Sequence, residues 1–287
     1  MTEASHTSWN RLAIIAGGGE VPLLIAQGEV GAGRNPFVVE VGGFADQDYG
    51  LYESVVLPVT KIGGMQKAMK EAGCDAVCFI GRISRPDFKS LMGLDTAAMA
   101  LLPKITQAAR YGDDALMRVI IDSFENKGLT AIGADQALEA LVPQPGVLGA
   151  IQPDNVALAD IEKALMIARA IGAHDIGQGA VVANGLVLAV EAQEGTDNML
   201  ERVADLPSDI RGKSDGRVGV LAKTPKPQQE RRIDLPTIGL QTIDRVSRAG
   251  LAGIAIHAGS ALIPRMDETI AAADAAGIFI FAAKADE

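Results

Sequence analysis

Leu12-Ala13-Ile14-Ile15-Ala16-Gly17-Gly18-Gly19 is the stretch that decides the fold. A short unbroken apolar run that stops in glycines reads as a buried strand feeding a tight turn. Outward from it, Val21 to Gly33 predicts a helix and Pro36 to Val41 a second strand. Strand, glycine turn, helix, strand is the opening of a βαβ unit. Ser54 to Leu57 continues it as a third strand, Gly64 to Ala72 as a helix closed by Gly73, and Asp75 to Ile80 as a buried strand. The alternation predicts an α/β fold whose parallel sheet offers ligand sites at the carboxyl ends of its strands.

Two helices are expected next, Ala97 to Tyr111 and Asp113 to Asn126, then a strand at Leu129 to Ile132. Asp113 and Asp114 suit the cap of the second helix. Pro143-Gln144-Pro145-Gly146 breaks the pattern, so a linker is expected from Pro143 to Pro153. It separates a first α/β domain, residues 11–142, from a second, residues 154–287. The second opens on a helix from Asn155 to Ile171 with Asp154 as its cap. Gly179 to Ala183 and Leu186 to Val190 flank Asn184-Gly185, the strongest short hairpin signal. A helix from Asn198 to Ala204, a strand from Val218 to Leu221 and a helix ending at Ala249 follow. A strand from Gly253 to His257, a helix from Asp267 to Ala275 and a strand from Gly277 to Ala282 complete the chain.

Composition narrows the function. The chain has 287 residues, 48 % of them apolar and 4 % aromatic, so small aliphatic side chains must fill the core. A net charge of −10 argues against nucleic-acid binding, which favours a basic face. Cys74 and Cys78 read as core residues, and a reducing cytoplasm fits them. Met1 to Asn10 is polar, has no signal-peptide core and reads as an extra tail. No apolar run is long enough to span a membrane. With three scattered histidines, a bound metal is expected to be a hard cation on oxygen ligands.

Between Lys223 and Gly239 the chain packs four cations, two carboxylates and three prolines without a helical or strand period. Proline lowers the entropy lost on ordering, and Leu235 and Ile238 supply apolar anchors. Lys223, Lys226, Arg231 and Arg232 around Asp234 suit phosphate: cations hold phosphoryl oxygens while a carboxylate holds a metal or orients water. A solvated charged loop has the same composition. Gly17, Gly18 and Gly19 stand where a dinucleotide fold places its phosphate turn, yet Pro22 occupies the position of the third fingerprint glycine. The reading preferred is nucleotide contact without redox chemistry, with a simple tight turn as the alternative. Gly81, Arg82, Ser84 and Arg85 follow a buried strand and suit phosphate or uracil, though a surface turn would look alike. Gln178 and Gly179 precede the hairpin, where Gln178 is placed for ligand contact. Glu191, Glu194, Gly195, Thr196 and Asp197 follow it. Three carboxylates beside a glycine turn could place a metal near Asp234, while Thr196 or Asp197 would equally well cap a helix. His174 and His257 read as structural.

Several of these pieces occur together, in order, in one family. Ile15-Ala16-Gly17-Gly18-Gly19-Glu20-Val21-Pro22, Ser84-Arg85-Pro86-Asp87, Asp175-Ile176-Gly177-Gln178-Gly179, Glu191-Ala192-Gln193-Glu194-Gly195-Thr196-Asp197 and Lys226-Pro227-Gln228-Gln229-Glu230-Arg231-Arg232-Ile233-Asp234-Leu235-Pro236 closely resemble the UDP-2,3-diacylglucosamine pyrophosphatases of the LpxI type. The resemblance covers nearly all of the chain past the first ten residues. It implies a Rossmann-like amino-terminal domain, a carboxyl-terminal domain peculiar to the family, and substrate between them. It implies hydrolysis to UMP and 2,3-diacylglucosamine 1-phosphate in lipid A biosynthesis, by water attacking the β-phosphorus. It also implies a requirement for Mg²⁺ or another divalent cation and an essential aspartate, here Asp234. On this reading Asp234, Glu194 and Asp197 are the candidate metal ligands. Asp234, Lys223, Lys226, Arg231 and Arg232 are the candidate catalytic groups. Gly17, Gly18, Gly19, Gly81, Arg82, Ser84, Arg85, Gln178, Gly179, Glu191, Gly195 and Thr196 are the candidate substrate contacts. An acylated UDP-sugar substrate implies a cytoplasmic protein that visits the inner face of the inner membrane, with room for a homodimer.

Of three rival readings, the first is weakened by Pro22 in the glycine fingerprint and the last fails on residues alone. An oxidoreductase would use the glycine turn for a dinucleotide. A nucleotide-sugar sensor would bind without turnover. A calcineurin-like phosphodiesterase would need more histidine ligands than the chain carries.

Overall fold

A computed structural model describes residues 8–83, 93–110, 112–227, 230–233 and 235–284. The chain forms two compact units, Met1–Glu139 with Glu230–Asp234 and Ala140–Gln229 with Leu235–Glu287.

The first unit runs β1 (Leu12–Ala16), α1 (Val21–Gly31), β2 (Phe37–Val41), β3 (Glu53–Leu57), α2 (Ile62–Glu71), β4 (Ala76–Ile80), α3 (Thr96–Ala108), α4 (Asp113–Glu125), β5 (Thr130–Ala131) and α5 (Ala134–Ala137). Its five strands are parallel in the order β3-β2-β1-β4-β5. The order reverses between β1 and β4, the switch point of open α/β sheets. Every residue of β1 is buried, as a central parallel strand covered on both faces requires. One face presents Ala13, Ile15, Val39, Val77 and Phe79 to Met65, Met69, Ile121 and Phe124 of α2 and α4. The other face carries the wholly buried Ile14, Val38 and Cys78. Burial pushes the Cys78 thiol up to about 12 and that of Cys74 to about 11, so neither is a thiolate at neutral pH.

The supposed tail is partly built into this unit. Trp9 Nε1 donates to Glu29 at 2.9 Å, and the Asn10 amide donates to Asp75. Glu29 is wholly buried and held by the Arg34 guanidinium at 2.6 and 2.8 Å.

The second unit runs β6 (Gly146–Leu148), α6 (Asn155–Ala173), β7 (Gly179–Ala183), β8 (Leu186–Val190), α7 (Gly195–Ala204), α8 (Ser208–Arg211), β9 (Gly212–Lys213), β10 (Gly216–Arg217), β11 (Val220–Lys223), α9 (Leu240–Arg248), β12 (Gly253–His257), α10 (Met266–Ala275) and β13 (Phe279–Ala283). Six strands form a mixed sheet in the order β6-β13-β12-β11-β7-β8, and β9 and β10 form a separate hairpin. β11, β12 and β13 are parallel, whereas β7 runs against β11 and β8 against β7. The segment expected as linker therefore supplies a strand, because β6 pairs antiparallel with β13. On one face Val181, Leu221, Ile254, Ile256 and Ile280 pack under α7, α9 and α10. On the other, Ala180, Val182, Ala222, Ala255 and Phe279 pack under α6.

Candidate functional site

In the second unit the strand directions bring the ends of β8, β11 and β12 and the start of β7 to one edge of the sheet. That edge carries the buried polar residues Glu191, Lys223, Thr224 and His257. Residues directly opposite on antiparallel strands share a face. Lys223 is paired with Gly179, and the Glu191 amide donates to the Gly179 carbonyl at 2.8 Å. Glu191, Gly179 and Lys223 thus form a row across three chain segments. They lie on the face covered by α7 and α9, because Val181 and Leu221, two residues away, belong to that core. A Cβ on Gly179 would come within 2.5 Å of Glu191 Oε2, and one on Gly177 within 2.2 Å of the Glu191 carbonyl. The two glycines make room for Glu191.

Glu191 is 7 % exposed, and its Oε2 accepts from the Thr196 hydroxyl at 2.9 Å. Burial raises its pKa above the ordinary carboxylate value, while Lys223 and the Thr196 hydroxyl pull the other way. Lys223, also 7 % exposed, donates from Nζ to the Thr237 carbonyl at 3.1 Å. The opposite face of the same edge carries Gln178, Thr224 and His257. Thr224 N donates to the Gln178 carbonyl at 3.0 Å, and Arg169 Nη2 of α6 lies 3.4 Å from His257 Nε2. The Gln178 Oε1 atom is buried with no partner among the described residues. A buried acceptor left open is suited to a donor from a ligand.

The charged loop springs from this edge. Lys226 is bound to Asp175 at 2.6 Å, and Asp175 adopts a left-handed φ of 55°. Leu235 and Ile238 are buried, Ile238 N donates to the Leu262 carbonyl at 3.0 Å, and Leu262 N donates to the Pro236 carbonyl at 2.8 Å. Residues 230–233 belong to the first unit. There the Arg232 guanidinium grips Glu230 at 2.8 and 2.9 Å and Glu125 at 2.7 Å. The Arg232 hydrogen bond holds the Glu230 carboxyl below its usual range, and Glu230 raises Arg232 in turn. The Glu230 amide donates to Asp114, which also pairs with Arg118 at 2.9 Å. Asp114 therefore serves the loop, and Gly112 occupies the cap position of α4 instead. Arg231 is exposed. Asp234 lies outside the described residues, as do Ser84 and Arg85.

At the switch point of the first unit, the glycine turn is closed by the protein itself. Gly17 N donates to the Ile80 carbonyl, Gly18 N to the Arg82 carbonyl and Gly19 N to the Asp46 carboxylate at 2.9, 3.0 and 2.8 Å. A Cβ on Gly17 would stand 2.8 Å from the Arg82 carbonyl oxygen, and one on Gly81 would stand 2.7 Å from Gly17 backbone. These glycines let two loops lie against each other. The groups this edge turns outward are side chains, Arg82 and Asp46, both exposed. Hydrogen bonds from Gln47 and the Gly19 amide lower the Asp46 pKa.

Glu194 and Asp197, expected beside Asp234, are each held by an arginine. Glu194 is paired with Arg202 at 2.5 Å and Asp197 with Arg245 at 3.1 Å. Among the described residues no group of three or more His, Cys, Asp or Glu side chains is placed to hold a metal. Gly195 opens α7 with a φ of 78°, and Thr196 serves Glu191. Sequence reading missed Asp46, Asp175, Glu125, Arg169 and Thr237. Strand parity from the hairpin turn alone would set Val190 opposite Gly179; an irregularity between Val181 and Val182 shifts β8 by one residue and brings Glu191 there, and nothing in the sequence announces that shift or the partners that come from distant loops.

Two family models match the chain, the LpxI N-terminal domain over residues 11–141 and the LpxI C-terminal domain over residues 144–281. A relative from Caulobacter vibrioides, named UDP-2,3-diacylglucosamine pyrophosphatase LpxI, is 50 % identical over 270 residues. The match covers 94 % of this chain and 96 % of the relative.

Proposed function

We infer that this chain, which belongs to the LpxI family, hydrolyses the pyrophosphate bond of UDP-2,3-diacylglucosamine to UMP and 2,3-diacylglucosamine 1-phosphate. The name of the relative, at 50 % identity over nearly the full length of both chains, supports the substrate. The observation that carries the reading on the structural side is how the charged loop is held. Lys223 is buried before Asp234 and Leu235 and Ile238 are buried after it. A merely solvated loop has no reason to be tied down on both sides of its carboxylate.

The proposed reaction is attack of water on the β-phosphorus. A P–O bond forms to the water oxygen, the bond to the bridging oxygen breaks, and UMP leaves with that oxygen and its electron pair. The attacking water gives up a proton. Asp234 is assigned to orienting the water or holding a divalent cation. Glu194 and Asp197 remain the candidate further ligands, and each would have to exchange its arginine, Arg202 or Arg245, for the cation. The proposed Mg²⁺ requirement rests on Asp234, and a bound cation would neutralise phosphoryl charge there. Lys226 and Arg232 hold the loop through Asp175, Glu230 and Glu125. Arg231, exposed on the loop, is assigned to meeting phosphate. The acyl chains would bring the protein to the inner-membrane surface. Among the described residues no helix is long and apolar enough to cross a membrane.

Hydrolysis in ¹⁸O-labelled water tests both product and site of attack. The label is expected in the phosphate of the lipid product and not in UMP. Label in UMP would contradict attack at the β-phosphorus. Tight binding of the UDP-sugar without turnover would contradict hydrolysis and favour a sensor.

A further inference from the structure

We propose that Glu191 and Lys223 form a buried positioning pair that fixes Leu235–Gly239, the leg of the loop leading out of Asp234, rather than touching substrate. The proposal deepens the pyrophosphatase reading and rests on it for its kinetic arm. Both side chains are 7 % exposed, which is unusual for residues whose task is to meet a polar ligand in solvent. Lys223 sits opposite Gly179 in the β11–β7 ladder, and Glu191 continues the row beyond Gly179. Any side chain at 179 would collide with the Glu191 carboxylate, 2.5 Å from the nearest Cβ position. The missing side chain opens the path by which the carboxylate leans over the strand towards Lys223. The two charges sense each other, since Lys223 lowers the Glu191 pKa against the rise that burial causes.

The ammonium is then spent on the loop. Its bond to the Thr237 carbonyl falls between two backbone links, Leu262 N to the Pro236 carbonyl and Ile238 N to the Leu262 carbonyl. These links bridge Thr237 to Leu262, and the Thr237 hydroxyl donates to the Leu235 carbonyl at 3.2 Å. Lys223 adds a further point, three residues after Asp234 in the chain. Catalysis is sensitive to displacements of about 1 Å, which can cost on the order of 100-fold in rate.

The test uses the full-length protein and three variants, Glu191→Gln, Lys223→Met and Gly179→Ala. The last keeps both charges and only displaces the carboxylate. Hydrogen exchange of the peptide spanning residues 235–239 is followed beside the kinetics of UMP release. Faster exchange in all three variants, with kcat reduced about 10-fold or more and KM within about twofold, is the result expected. The double variant Glu191→Gln/Lys223→Met should be no worse than Lys223→Met alone, because the two act as a unit. A KM raised about 10-fold at constant kcat would overturn the proposal by placing Lys223 on the substrate. Unchanged exchange at 235–239 in folded variants would also overturn it. If the wild type released no UMP, the functional reading would fail, and exchange alone would still decide whether the pair holds the loop.

Discussion

Two stretches of one loop, on either side of Asp234, are held in opposite ways. Residues 230–233 are held by ion pairs between partly exposed side chains, Arg232 with Glu230 and Glu125. Leu235–Gly239 is held by buried apolar groups, backbone hydrogen bonds and the buried ammonium of Lys223. The first stretch carries three of the six charged residues that make the loop conspicuous in the sequence, and the second carries none. The second carries most of what fixes a position. Partly exposed ion pairs contribute about 0.2–1 kcal/mol each, whereas stripping a partner from a buried pair costs about 3–5 kcal/mol. Charge density therefore marks where the loop is, and burial marks where it is fixed.

The sharpest way to break this contrast is to remove charge from what holds each stretch. Glu191→Ala should cost about 3 kcal/mol of stability in denaturant unfolding, because it removes a buried carboxylate whose charge Lys223 senses and whose oxygen accepts from Thr196. A cost below about 1 kcal/mol would mean that the edge is wetter than the burial of Glu191 and Lys223 indicates.

The second way is pH. Burial holds the Glu191 carboxyl above its ordinary 4.5, so the native protein binds a proton there that the unfolded chain has released. Its contribution to stability is present below 4.5 and is lost as pH rises from 4.5 through the raised native value. Glu230 has the opposite sign. Its lowered pKa gives stability above 4.5 that is lost as pH falls through the native value. Glu191→Gln should flatten the rising-pH loss and Glu230→Gln the falling-pH loss, as read from unfolding midpoints across pH. Interchanged effects would contradict the environments assigned to the two carboxylates.

The smallest effect is expected from Arg232→Ala, within about 1 kcal/mol, with a clear dependence on salt. A loss as large as that of Glu191→Ala would erase the distinction between the two stretches.

Much of the fold was legible because periodicity is local. β7, β8 and β12 fall at the residues the apolar runs predict, and Asn184 and Gly185 take the positive φ values, 49° and 77°, that the hairpin turn demands. β6 was hidden because Gly146-Val147-Leu148 is too short and too close to proline to read as a strand, and it forms only against β13. β11 lies two residues later than its apolar run suggests. Gly219, with a φ of 83°, precedes the ladder, and Lys223 can close it because Glu191 stands across Gly179. The glycine turn looked like a phosphate cradle because a sequence does not reveal whether an amide is already bonded; here Ile80, Arg82 and Asp46 take all three. For Glu191 and Lys223 the difficulty was the reverse. Charge reads as solvent exposure until the strand register shows both groups facing the same core. Residues 230–233 were legible as charged, but their partners Glu125 and Asp114 come from a helix more than a hundred residues earlier.

The most direct test of the central claim is UMP release from UDP-2,3-diacylglucosamine by wild-type protein and by Asp234→Ala, each with Mg²⁺ and with EDTA. The account predicts release by the wild type with Mg²⁺, none with EDTA, and none from a folded Asp234→Ala protein under either condition. Equal release by Asp234→Ala would contradict it, because the loop held on both sides of that residue would then not be where the chemistry happens.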